Sequence, residues 1–286
     1  MYKTENSKIL VLYGVSSAHV GSGTSFGVID SPIQRERHTN WPHFQASGVK
    51  GAMRHHFEKS ANLPDGINGK ISEVTQQIFG SESFEGEILP GAIAVSDAKL
   101  CAYPIRSSAY PFVWVTCPAV LDRLRKDLAL VGVKIDDLKL PNIGDGHAIS
   151  LEGNLSGKIL LEDYEVVVGE KYTLPDQIKK VFNQAKRLLL VSNEMYHYAV
   201  SSCTEVQAQI AIDSDSGSAK DGSLRYQELL PADSILYISL CWGDSRNEAK
   251  VPSESILKCL RQSFSTHIQI GGDQTLGKGL FEINWY

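Results

Sequence analysis

No long apolar run occurs in this chain, so nothing in it reads as a membrane span. The run Ile9-Leu-Val-Leu-Tyr13 is short, lacks a cleavage site and reads as a strand rather than a secretion signal. A paired-cysteine pattern is also missing. Cys101, Cys117, Cys203, Cys241 and Cys259 are odd in number, widely spaced and without a C-x-x-C. That argues against a zinc or disulfide framework and for reduced thiols in a cytoplasmic protein. Positive charge is not in excess, since the net charge is −5. The chain is therefore not basic all over, although a local basic groove is what a phosphate chain would feel. Low-complexity segments and short repeats are absent. What is present is 286 residues with an apolar share of 42%, enough for a sizeable core in one large domain or two small ones.

The stretch from His19 to Arg54 stands out. It carries too many glycines, charges and histidines for core, between the first apolar strand (residues 8–15) and the first amphipathic helix. Ser47 is a good N-cap for that helix. Val49, Ala52, Met53, His56 and Phe57 fall on one face at helical spacing. Lys50 and Arg54 are neighbours of like charge on the other side, near the positive end of the helix dipole. Two readings follow: an anion held at the helix start, or a solvated face with Glu58 as the partner of Arg54.

Further along, Asn62–Gly69, with Pro64-Asp65-Gly66, is a turn-rich break. Ile71–Phe79 reads as a short helix closed by Gly80. Gly91–Val95, Lys99–Ile105 and Tyr110–Thr116 read as strands. Pro118 opens a second helix with the stripe Leu121, Leu124, Leu128 and Val131, ended by Gly132. Residues 136–204 read as an insertion, with a strand in Ile159–Val168 and an amphipathic helix over Pro175–Val191. Val206, Ala208, Ile210 and Ile212 alternate as a half-buried strand. Leu224–Leu230 and Ile235–Trp242 are strands, Ile256 to Phe264 marks the last helix, and Ile268–Ile270 and Leu280–Trp285 are the final strands. The order strand–helix–strand–strand–helix at the start and strand–strand–helix–strand at the end suggests α+β, ferredoxin-like units.

Gly272–Gly279 spells G-x-x-x-x-G-K-G. A phosphate-binding nucleotidase loop needs Ser or Thr after the lysine and must open a helix. Here Gly279 takes that position and only a strand follows, so nucleotide hydrolysis is rejected. The run is either an anion nest with Lys278 adding charge or a hairpin turn with glycines at positive φ. Gly21-Ser22-Gly23 is likewise no dinucleotide fingerprint. Asp30 lies in Ile29-Asp30-Ser31-Pro32, a good turn in its own right. With His19 and His38 flanking it, a carboxylate near a phosphate could also bind a divalent metal or move a proton. His55 and His56 are adjacent on a helix and diverge, and His56 reads as a core residue.

Three motifs together resemble the RAMP superfamily of CRISPR proteins. They are His19-x-Gly-Ser-Gly…Asp30-x-Pro-Ile-Gln-Arg-Glu-Arg-His38, Gln45-Ala-Ser47 with Lys50 and Arg54, and Ile268-Gln-Ile-Gly271-Gly272 running on to Lys278 and Gly279. The Asp30 run is similar to the backbone subunits of type III-B (Cmr) effector complexes, and Val95-Ser-Asp97-Ala lies between the two end anchors. The resemblance implies one RRM-like (ferredoxin-like) palm over residues 1–286, with an inserted thumb within 140–215. It implies copies stacked head to tail in a helical backbone along a guide CRISPR RNA, beside other Cmr subunits. Each copy would present Asp30 to a complementary single-stranded target RNA, cut at regular intervals by attack of a 2′-hydroxyl on its own phosphate. Asp30 would hold a divalent metal, magnesium or manganese, or assist the proton transfer. His19 would position the strand. Gln45, Ser47, Lys50, Arg54, Gly271, Gly272 and Lys278 would bind RNA. Ala46 stands where glycine is more usual. Tyr226-Gln227-Glu228 departs from a more acidic pattern, leaving Glu228 as the second catalytic carboxylate or, alternatively, as an exposed strand residue.

Three functions remain to be separated: an RNA-guided endoribonuclease subunit, a guide-RNA-binding subunit that never cuts, and an unrelated metabolic enzyme with a phosphate loop.

Overall fold

The structure, a computed structural model, describes residues 3–23, 27–60, 63, 70–81, 89–135, 138–246 and 251–286. The chain begins with β1 (Ser7–Gly14), β2 (His43–Phe44), α1 (Ala46–Ser60), α2 (Ile71–Phe79), β3 (Ile93–Val95), β4 (Ala98–Arg106), β5 (Phe112–Thr116) and α3 (Pro118–Leu130). It continues with β6 (His147–Glu152), β7 (Gly157–Leu161), β8 (Tyr164–Gly169), α4 (Asp176–Lys179), β9 (Leu188–Val191), α5 (Asn193–Ser202), β10 (Glu205–Gln209) and β11 (Arg225–Leu229). It ends with β12 (Ile235–Trp242), α6 (Ser253–Ser263), β13 (His267–Gln269) and β14 (Leu280–Trp285).

Twelve strands form one sheet in the order β13-β14-β1-β12-β4-β5-β9-β6-β8-β7, with β2 on β4 and β3 on β12. The α+β reading holds. β12 is buried along its whole length between β1 and β4, which is why its sequence is nearly continuous in apolar residues. The α1 stripe of Val49, Met53 and Phe57 is buried, and α1 packs on α2, α6, β3 and β13. Burying a side chain such as Phe57 contributes about 1.5–3 kcal/mol. Leu121, Leu124 and Leu128 of α3 are buried in the same core, and α3 packs on β4. Its helix ends as expected before Gly132, whose φ of 86° suits glycine alone. His56 is half-buried at the edge of the core, held by the Ser263 carbonyl at 3.0 Å and packed against Phe264. The expected turn over Asn62–Gly69 lies outside the described residues, Leu63 excepted.

Residues 136–204 need correction in detail. Ile159–Val168 is a hairpin, β7 and β8, turned at Glu162 with φ 51°. The long helix expected over Pro175–Val191 is one turn, α4, a 3-10 turn at Lys180–Phe182, and then strand β9. The helical stripe Ile178, Val181, Phe182, Ala185 and Leu189 is buried all the same. The deciding feature is Leu188 to Val191, four buried residues in succession, which one helix face cannot supply. As a strand they pair with β5 in parallel and with β6 antiparallel. The element α5 was not anticipated; Ser192 caps it through the Met195 N–H.

β6 to β9 thus lengthen the main sheet, while β10 and β11 form a separate two-stranded pair. The alternation in β10 is real but inverted. Val206, Ile210 and Ile212 are open to solvent, and Gln207 and Gln209 of β10 face the more covered side.

Candidate functional site

The site is built around one strip of extended chain, residues 30–35. Along one edge, Ser22 N–H donates to the Pro32 carbonyl at 3.0 Å and Gln34 N–H to the Val20 carbonyl at 2.9 Å. Along the other, Ser31 N–H donates to the Tyr226 carbonyl at 3.1 Å and Glu228 N–H to the Ser31 carbonyl at 3.0 Å. The strip therefore lies between the loop after β1 and strand β11.

Asp30 opens the strip and is exposed. Its Oδ2 accepts the Tyr226 N–H at 2.7 Å, and Oδ1 has no partner among the described residues. His19 lies on the loop edge and is half-buried. Its Nδ1 faces the Glu228 carbonyl at 2.8 Å and donates to it, which leaves Nε2 as the ring's other nitrogen. Gly21 makes room for that nitrogen, because a Cβ there would come within 2.8 Å of it.

The C-terminal glycine run is the connection between β13 and β14, so the hairpin-turn reading is realised. It is fastened to the same strip. Gly272 N–H donates to the His19 carbonyl at 2.8 Å. Gly271 has φ 104°, and a Cβ there would meet that carbonyl oxygen at 2.5 Å. Lys278 Nζ donates to Ser17 Oγ at 2.9 Å, and Gln227 Nε2 donates to Asp273 Oδ2 at 2.6 Å. One hydrogen-bonded surface thus joins Asp30, His19, the glycine loop and β11.

The far end of the strip meets the start of α1. Gln34 Oε1 accepts the Gln45 N–H at 2.8 Å, and Ala46 N–H donates to Asp97 Oδ1 at 2.7 Å. Four extended residues place Asp30 about 13 Å from Gln34 along the chain. A cleft of about 290 Å³ opens here, lined by Gly21, Ser22, Gln34, Arg35, His43 and Gln45. Ser47 was expected to cap the helix but lies exposed in its first turn, and the capping carboxylate is Asp97, 51 residues away. A distant cap leaves no local signal. The outer face of this first stretch is open, since no atom lies within 4 Å of a Cβ built at Gly48 or Gly51.

Lys50 and Arg54 part company. Arg54 Nη1 donates to the Gly80 carbonyl at 2.8 Å and Nε to Glu58 Oε1 at 3.1 Å, tying α1 to the end of α2. Lys50 has no acidic partner among the described residues, and partial burial, then the nearby Arg54 charge, lower its ammonium below the usual lysine range. A cation in that state gains from any anion brought to it.

Glu228 is not the exposed strand residue that one reading expected. It is buried rather than exposed, and its oxygens are occupied. Oε1 accepts from Arg35 Nη2 at 2.5 Å and from Thr204 Oγ1 at 2.8 Å, and Oε2 accepts the Ile33 N–H at 3.0 Å. As placed, it offers nothing to a bound strand, and the reason is the Arg35 charge drawn in beside it. Arg35 itself, half-buried with its side chain largely covered, was not singled out by sequence reasoning; its partner is 193 residues distant.

No group of three or more His, Cys, Asp or Glu side chains able to hold a metal occurs among the described residues. Asp30 offers one open oxygen. That donor set fits a hydrated magnesium or manganese ion only as a shared ion, with substrate phosphates supplying further oxygens.

The chain is similar to known proteins along nearly its full length. The family model described as the RAMP superfamily matches residues 11–282. The CRISPR system Cmr endoribonuclease Cmr4 of Pyrococcus furiosus is 31% identical over 284 residues, which are 95% of this chain and 93% of that protein. Two solved structures share the fold. One is a type III-B Cmr-beta complex bound to cognate target RNA, with TM-score 0.77, 22% identity and coverage of 98% and 96% of the two chains. The other is oligomeric Cmr4 from Pyrococcus furiosus, with TM-score 0.70, 24% identity and coverage of 98% and 97%.

Proposed function

The chain belongs to the RAMP superfamily, and from that membership we propose that it is the RNA-guided endoribonuclease subunit of a type III-B (Cmr) CRISPR effector. Copies stack along a guide CRISPR RNA beside other Cmr subunits, and each cuts a complementary single-stranded target. The observation that carries this reading is the open oxygen of Asp30 on the same hydrogen-bonded surface as His19, the glycine loop and the α1 start. The relative at 31% identity is named an endoribonuclease.

The residues divide the work. Lys50 and the exposed first turns of α1, with Gln45 and Ser47, meet guide phosphates. Gly271 and Gly272 let a backbone approach closely, and Lys278 adds charge from its seat on Ser17. Base pairing supplies sequence specificity while the protein reads the backbone, the division of labour known for Cas9-type systems. At the cut, a ribose 2′-oxygen bonds to its own phosphorus as its proton leaves. The bond from phosphorus to the 5′-oxygen breaks, and that oxygen takes a proton. Asp30 receives or steers the departing proton through Oδ1, and His19 holds the strand through Nε2. Alternatively, Asp30 would use that same oxygen as the protein's ligand to a divalent ion, which when bound would supply charge neutralisation at the phosphate.

The open apolar face of the β10–β11 hairpin suits a chain that works in an assembly. Cytoplasmic residence fits five free cysteines, and no helix among the described residues is long and apolar enough to cross a membrane. A second reading, a guide-binding subunit that does not cut, is favoured by one fact: Asp30 already has a structural task in holding the Tyr226 N–H. Asp30→Asn keeps an acceptor for that N–H and removes the carboxylate. Assembled with guide and partner subunits, it should retain guide and target but lose cleavage of complementary RNA. Cleavage at the unaltered rate would establish the second reading instead.

A further inference from the structure

The carboxylate of Glu228 joins three segments. Ile33 and Arg35 belong to the strip that begins at Asp30, and Thr204 precedes β10. The backbone of the same residue completes the junction, its carbonyl taking His19 Nδ1 and its N–H reaching Ser31. Arg35 in turn donates to the carbonyls of Asn40 and Val200, each at 2.9 Å. The side chains of the pair are 16% and 4% exposed, so neither charge has much water to fall back on.

We propose that Glu228 and Arg35 form a positioning pair: their buried ion pair fixes the Asp30 strip against His19 and so sets the geometry of cleavage without touching the reacting atoms. This rests on the reading that Asp30 and His19 face the target strand. Arginine stays charged at any working pH. Removing the carboxylate alone therefore strands a buried guanidinium, and removing the guanidinium strands a buried carboxylate. Either change should let the strip drift, and a displacement of an ångström at a reacting group is enough to slow chemistry by about a hundredfold. Neutralising both partners leaves two side-chain amides able to hydrogen-bond each other.

The test is a double-mutant cycle in the assembled effector with guide RNA and complementary target, using Arg35→Gln, Glu228→Gln and the pair together, with Asp30→Asn for reference. Each single variant should cleave about tenfold to a hundredfold more slowly. Target affinity should stay within about twofold, because the Lys50 side of the surface is untouched. The double variant should regain most of the rate. Backbone amide exchange over residues 31–35 gives a readout independent of cleavage. It should quicken in each single variant, return towards normal in the double, and stay unchanged in Asp30→Asn. A double variant no better than Glu228→Gln, with exchange unchanged throughout, would make Glu228 a catalytic residue and overturn the proposal. Single variants at the unaltered rate and exchange would overturn it as well. If Asp30→Asn cleaves normally the endonuclease reading fails, while the exchange measurements still decide whether the pair holds the strip.

Discussion

Two layers of this molecule, the surface strip and the seat beneath it, carry similar side chains in opposite states. On the surface, Asp30 keeps one oxygen without a partner and Lys50 keeps its charge without a counter-ion among the described residues. In the seat, Glu228 accepts three hydrogen bonds and Arg35 donates to three groups. On α1, Arg54 is likewise occupied, by Glu58 and the Gly80 carbonyl. Chemical type does not separate the groups left open to a ligand from those that hold the fold. What separates them is whether the fold has already satisfied their hydrogen-bonding capacity.

That contrast can be broken by measuring stability alone. Glu228→Ala leaves the Arg35 guanidinium and the Ile33 N–H without their acceptor, and loss of one partner of a buried pair costs about 3–5 kcal/mol. Asp30→Ala removes one exposed hydrogen bond and should cost no more than about 1 kcal/mol. Urea unfolding of the two variants with equal m-values would check this; equal midpoints would mean that the seat holds the fold no more firmly than the surface does. The next effect lies on α1. Arg54→Ala should cost about 1.5–3 kcal/mol, the range for hydrogen bonds made by a charged group. Lys50→Ala should leave the unfolding midpoint in place or raise it slightly, since it removes a like-charge neighbour. In guide binding the order reverses. Lys50→Ala should weaken all guide sequences alike and reduce the salt slope by about one, as expected for one lost phosphate contact. A sequence-selective loss would move Lys50 away from the backbone.

Much of the fold was legible because its signals are local. Pro118 and Gly132 bracket α3, Gly80 closes α2, and the boundaries of β12 and β14 follow from continuous or alternating apolar residues. The His19 to Arg54 stretch stood out as a candidate surface, since glycines, charges and histidines crowd where core residues would otherwise be. What stayed hidden depends on partners far along the chain. Ser47 has the chemistry of a cap, yet Asp97 takes that task from the turn before β4. Glu228 has the chemistry of a catalytic acid, and Arg35 draws it inward. Ile178 to Leu189 has helical spacing, but the four apolar residues at Leu188 to Val191 are claimed by β5 and β6. In each case local pattern suggested a role and tertiary pairing decided it.

A similarly small effect on the isolated chain should come from the hairpin, which is also where the contrast is sharpest. The alternation Val206, Ala208, Ile210, Ile212 normally marks a face turned to a core. Here Val206, Ile210 and Ile212 are 47%, 53% and 58% exposed, with Leu224 and Tyr226 exposed on the other arm of the hairpin. An apolar face that the chain itself leaves uncovered adds nothing to its own stability, so Ile210→Ser should shift the unfolding free energy by no more than about 0.5 kcal/mol. If the face is covered on assembly, the same substitution should weaken formation of the effector, because each fully buried aliphatic side chain contributes about 1.5–3 kcal/mol. Sedimentation of the protein with guide RNA separates the two: unchanged monomer stability with fewer large particles is expected. A loss of monomer stability of more than about 2 kcal/mol would mean that the hairpin face is core after all.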